Sequence, residues 1–179
     1  MPVYIALLRG INVSGYKPVK MERLRAALAD VGCQNIATYI QSGNVVFTAP
    51  QGPLPPLTRK IEAKILSEFG FAVPVFLTTA AALAAVIQQN PLLPDPAVDP
   101  GKLHVTFLSG APPADATDRL QPLAAPAEQL SIVGSVIYLY CPAGYGQTKL
   151  ANGTIEKKLG VGATTRNWQT VNTLLTMAQ

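Results

Sequence analysis

The sequence is short of most of what reactive chemistry draws on. It holds one histidine and two cysteines in 179 residues. Cys33 and Cys141 stand far apart with no CxxC pair, a usage that fits a reduced, cytoplasmic protein better than a disulfide framework. With His104 as the single histidine, no dedicated zinc or iron site is expected, and nothing implies another cofactor. Acidic residues number ten, most of them in the middle of the chain, and no pair of carboxylates stands out for acid–base work. Long apolar runs are missing as well: none approaches the ~20 residues that span a bilayer. The opening is apolar only from Val3 to Leu8, lacks a basic flank and is followed at once by Arg9, so it does not read as a signal peptide. No membrane partner is expected.

What is present is a core. Hydrophobic residues make up 49% and charged residues 13%, a folded composition sufficient for one large domain or two small ones that share a core. The net charge of +4 is uneven: residues 1–50 carry +3, residues 51–139 carry −2 and residues 140–179 carry +3. If the basic ends meet, they form one cationic surface suited to an anionic partner.

Periodicity divides the chain into alternating elements. Residues 3–8 read as a buried strand, and residues 21–31 as a helix with Met21, Leu24, Ala27, Leu28 and Val31 at helical spacing. Two strands, 36–41 and 44–48, flank Ser42-Gly43-Asn44, a tight hairpin turn. A helix over 57–69 and a strand over 72–77 complete the order β-α-β-β-α-β. That order predicts an α+β fold whose N-terminal half, residues 1–78, is ferredoxin-like. Residues 79–179 partly repeat it: a helix over 79–89, a proline-rich connection, a strand over 102–108, a helix over 114–123, a hairpin about Gly134, then two helices over 150–159 and 167–178. This second plait-like half lacks a clear closing strand, and it is expected to pack with the first as one compact unit.

Three blocks carry the functional reading: LLRGINVSGYK (7–17), TYIQSGNVVF (38–47) and TTRNW (164–168). In the first, Gly10 and Gly15 have the separation of a P-loop, but Tyr16 intrudes before Lys17 and no Ser or Thr follows, so the triphosphate-binding motif is absent. Lys17 and Lys20 precede the helix that starts at Met21, where the dipole disfavours cations by roughly 0.3–1 kcal/mol each. TTRNW places Arg166 beside the expected start of the last helix, with Thr165 or Asn167 as its cap. GYGQTK, residues 144–149, is a glycine-rich loop ending in Lys149.

Taken together, these blocks resemble the bacterial family catalogued as domain of unknown function 1697. The resemblance runs through the whole chain, with Asn90-Pro91, LHVTFL and IYLY between the blocks. Ser14 stands where members usually have a glycine, and Tyr16 and Pro18 flank the lysine where a second polar residue is usual. The family implies a cytosolic α+β protein and no activity.

Three functions remain open. The first is binding of a small anion (a nucleotide, phosphate or carboxylate) at a basic site formed by the chain ends through Arg9, Asn12, Lys17, Arg166 and Asn167, with Lys149 nearby and Asn44 at the hairpin turn. The second is nucleic-acid binding through Tyr4, Tyr39 and Phe47 on an open sheet. The third is a non-catalytic protein-interaction module with an exposed apolar patch or strand edge.

Overall fold

The computed structural model describes all residues, Met1–Gln179. The chain divides into two compact units, Met1–Ala84 with Leu174–Gln179, and Ala85–Thr173.

In the first unit, β1 (Val3–Leu8) is followed by α1 (Met21–Asp30), β2 (Gln34–Tyr39), β3 (Asn44–Thr48), α2 (Leu54–Phe69) and β4 (Val75–Thr79). The sheet runs in the order β2-β3-β1-β4 with every pair antiparallel, the ferredoxin-like arrangement read from the order of elements. One face packs beneath the helices: Tyr4, Ala6, Leu8, Val45, Phe47 and Val75 meet Leu24 and Leu28 of α1 and Ile61 and Ile65 of α2. Helix α2 starts three residues earlier than the sequence suggests. Pro55 and Pro56 lie in its first turn, where backbone amides have no intrahelical acceptor and proline costs nothing.

Helix α3 (Ala80–Gln88) follows, then β5 (Leu103–Leu108), α4 (Ala116–Leu120), β6 (Gln129–Val133), β7 (Val136–Tyr140), α5 (Asn152–Leu159), β8 (Ala163–Asn167) and α6 (Trp168–Met177). The second sheet has the order β6-β7-β5-β8, so this half does possess a closing strand. The expectation that it lacked one is overturned by β8, which is built from ATTRN. That segment carries a buried arginine and no apolar alternation, but its β-branched threonines suit a strand. Arg166, expected beside the start of the last helix, lies within this edge strand, two residues before α6. Beneath α4 and α5 the core comprises Leu108, Ile137, Leu139, Leu150, Ile155 and Ala163, among others. No helix of the chain is long and apolar enough to cross a membrane.

The halves share hydrogen bonds that their sequences do not advertise. Glu62 of α2 accepts from the Val75 N–H at 2.9 Å, and Glu156 of α5 accepts from the Ala163 N–H at 3.2 Å. Each carboxylate ties the second helix to the first residue of the fourth strand. That strand's last residue then caps the next helix: Thr79 Oγ1 accepts from the Ala82 N–H, and Asn167 Oδ1 from the Thr170 N–H.

Gly43 anchors the hairpin of the first unit. Its carbonyl accepts from the Leu8 N–H at 2.8 Å, its φ is +88°, and an added Cβ would lie 2.7 Å from Leu8 Cβ. Gly134 in the other hairpin has φ +58° and open space around it. In urea denaturation, Gly134→Ala is expected to cost about 1–2 kcal/mol for the left-handed backbone. Gly43→Ala is expected to cost about 3–4 kcal/mol, because overpacking adds to the same penalty. Equal losses would contradict the packing assigned to Gly43.

Candidate functional site

The basic loop after β1 is a miniature hairpin. The Asn12 N–H donates to the Lys17 carbonyl at 3.1 Å and the Tyr16 N–H to the Val13 carbonyl at 2.9 Å. Ser14 and Gly15, with φ of +50° and +80°, form the positive-φ pair of a two-residue turn. Two of the loop's amides are thus spent inside the loop. The Asn12 side chain holds its base: Nδ2 donates to the Val19 and Gln41 carbonyls at 2.9 and 2.7 Å, and Oδ1 accepts from the Val19 N–H at 2.8 Å. Lys17 Nζ donates to the Ala72 carbonyl at 2.7 Å. Arg9 is half-buried at the start of the loop, its N–H on the Pro74 carbonyl. Asn44 is fully buried and donates to the Tyr39 carbonyl and Ser42 Oγ. Asn12 joins this loop to the Gln41–Asn44 turn, so Arg9, Asn12, Lys17 and Asn44 belong to one region of the first unit, where Asn12 and Asn44 have structural work.

Two of the strand rings considered for nucleic acid lie in the core. Tyr4 and Phe47 are buried and stack with centroids 5.8 Å apart beneath the helices, so neither meets a base. Tyr39 is half-buried. The most exposed aromatic of the first unit is Tyr16, 76% exposed at the hairpin tip.

In the second unit, the register sets Arg166 beside Val105 and Asn167 beside His104. Alternation then places Arg166 and Thr164 on one face and His104, Thr106 and Thr165 on the other. Arg166 is nine-tenths buried. Its Nη1 donates to Thr164 Oγ1 and to the Thr165 carbonyl, both at 2.9 Å. Burial pushes its pKa down to about 10, outweighing the upward pull of Tyr145. On the opposite face, His104 stacks on Tyr145 with ring centroids 4.8 Å apart, so Tyr145 acts on both groups. Beside it Thr165 Oγ1 bonds to Thr106 Oγ1 and to Asn152 Oδ1 at 2.7 and 2.6 Å. Lys149 is exposed in the loop after Tyr145, and Asn167 is engaged as the α6 cap. The His104–Tyr145 stack was not legible in the sequence, because it joins a strand to a loop some forty residues away. The Asn152–Thr165 bond, from α5 to β8, escaped for a similar reason.

Both thiols are buried, and burial raises Cys33 and Cys141 to about 11, so neither is a thiolate near neutrality. No group of three or more His, Cys, Asp or Glu side chains gathers to hold a metal ion.

A family model described as "Protein of unknown function (DUF1697)" matches residues 1–138. Among solved structures, the chain is similar to a conserved bacterial protein from Streptococcus pneumoniae, with 22% identity, 99% of each chain covered and a TM-score of 0.78. That likeness establishes the fold. Among curated proteins no relative matches.

His104 makes one pH prediction. Its Nδ1 is buried without a partner, and burial holds its pKa below the ordinary histidine value, an effect the Lys102 backbone only partly offsets. The unfolded chain therefore takes up the proton first. Stability is unaffected by this group above about pH 6.5 and falls as pH drops below that value. Urea midpoints measured between pH 7.5 and pH 5 should decline less in His104→Gln than in the parent. Parallel curves would contradict the assignment.

Proposed function

Because the chain belongs to the DUF1697 family, whose description carries no activity, we propose a function from its own residues: it binds a small anionic ligand, and Arg166 is the anchor. One observation carries the reading. Arg166 is a buried guanidinium whose charge is disfavoured by its surroundings overall, as its lowered pKa states. Proteins rarely bury such a charge without use for it. A phosphate or carboxylate beside it forms charge-assisted hydrogen bonds and offsets the cost of burying the charge. Nη1 is pinned to Thr164 and Thr165, which orients the planar fork in advance and lowers the entropy lost on binding. Lys149 adds positive charge from the neighbouring loop. Arg9 and Lys17 form the cationic group of the first unit, and Arg9→Ala is its parallel test.

The experiment is a thermal-shift screen with inorganic phosphate, nucleotides, sugar phosphates and small carboxylates. A ligand at about 100 times its dissociation constant adds about 2.7 kcal/mol of stability. Arg166→Lys keeps the charge and loses the fork, and is expected to weaken binding at least tenfold with the fold intact by circular dichroism. No shift with any anion, or an unchanged affinity in Arg166→Lys, would overturn the reading.

A further inference from the structure

The fourth strand lies at the edge of its sheet in both units, yet its outward side is treated differently in each. In the first unit the Arg9 N–H reaches the Pro74 carbonyl, so Pro74, Phe76 and Thr78 turn their backbone groups toward β1. Alternation sends those of Val75 and Leu77 outward. Glu62 takes the Val75 N–H, and the outward N–H and C=O of Leu77 meet no partner in the chain. In the second unit the Ser109 N–H on the Gly162 carbonyl sets the same alternation. There Glu156 takes the outward Ala163 N–H and Arg166 takes the outward Thr165 carbonyl. Exposed edges are templates for strand pairing, and proteins commonly blunt them with charged side chains. At this position the outward carbonyl is taken in one fourth strand, and both outward groups are open in the other.

A groove lies at the start of β4. It has a volume of about 350 Å³ and lies between α2 and the segment leading into β4, lined by Arg59, Glu62, Ala63, Leu66 and residues 72–74. Its apolar side includes Leu66, which is 50% exposed. Lys17 Nζ sits on the Ala72 carbonyl at its lip, and Arg59 is exposed on α2. Glu62, the one carboxylate, is committed to Val75.

We propose that this edge and groove form a docking site for an extended, carboxylate-bearing peptide segment of another protein, which adds as a strand beside β4. Leu77 supplies the ladder bonds. The groove takes an apolar side chain of the segment, and Arg59 and Lys17 meet its carboxylate. Pairing by strand addition draws affinity from the backbone and specificity from alternate side-chain pockets. A second copy of the chain is a poorer occupant, because it brings the same cations against this cationic border.

The test begins with a phage-displayed library of random dodecapeptides selected on the full chain. Enriched sequences should alternate apolar residues and carry Asp or Glu. A synthetic peptide of that sequence should slow hydrogen exchange at the Leu77 amide. N-methylation at alternate peptide amides should weaken it about tenfold, the scale of a lost backbone hydrogen bond. Arg59→Glu, a change on an exposed helix surface, should weaken it by a similar factor and leave the fold unaltered by circular dichroism. No enrichment, or equal binding of the N-methylated peptide, would overturn the proposal. So would a dimer in sedimentation whose Leu77 amide is protected, which would give the edge to a second copy.

Discussion

A glutamate on the first amide of the fourth strand ties helix to edge strand in each half of this protein. Glu62 and Glu156 come from the second helix of their halves and accept from Val75 and Ala163. Hydrogen bonds to a charged acceptor contribute about 1.5–3 kcal/mol, but the larger consequence is geometric. The bond sets where the edge strand begins relative to the helix above it. From that start the register against the first strand follows, and so does the residue that ends the strand and caps the next helix, Thr79 in one half and Asn167 in the other. It also satisfies one outward donor of an edge that would otherwise begin unpaired.

Where the halves agree, the residues serve the fold; where they differ, the candidates for function appear. The first half has a basic hairpin after its first strand, stiffened by Asn12 and Lys17. Its fourth strand is open at Leu77. The second half has a buried arginine in its fourth strand, and a loop that brings Tyr145 onto His104. Arg166 serves twice on this account. Its Nη1 closes the Thr165 carbonyl of the edge, and that same bond pre-aims the fork for an anion. On the two proposals, the units put the same strand to two uses, peptide capture and anion capture.

Much of the architecture was legible in the sequence. Apolar runs and helical spacing located β1, α1 and α2, and the order of elements indicated the ferredoxin-like half. The closing strand of the second half was not legible, because Thr164, Thr165, Arg166 and Asn167 look polar and sit against a helix start. The Thr165 hydroxyl is satisfied by Thr106 Oγ1 and by the Asn152 amide oxygen, partners that only the folded unit supplies. The candidate residues were partly legible. Arg166 was singled out, but as a cation at a helix pole rather than a buried strand side chain. Asn12 was singled out as a ligand group, while its amide is spent on Val19 and Gln41. The edge of β4 left no trace in composition, since an unpaired backbone group has no residue type.

The most direct test is native-state hydrogen exchange of the fourth-strand amides by nuclear magnetic resonance. The account predicts slow exchange at Val75 and Ala163, which the glutamates hold, and at Phe76 and Thr78, which face β1. It predicts that Leu77 exchanges far faster than either of its neighbours. A Leu77 amide as protected as Phe76 and Thr78 would contradict the open edge of β4.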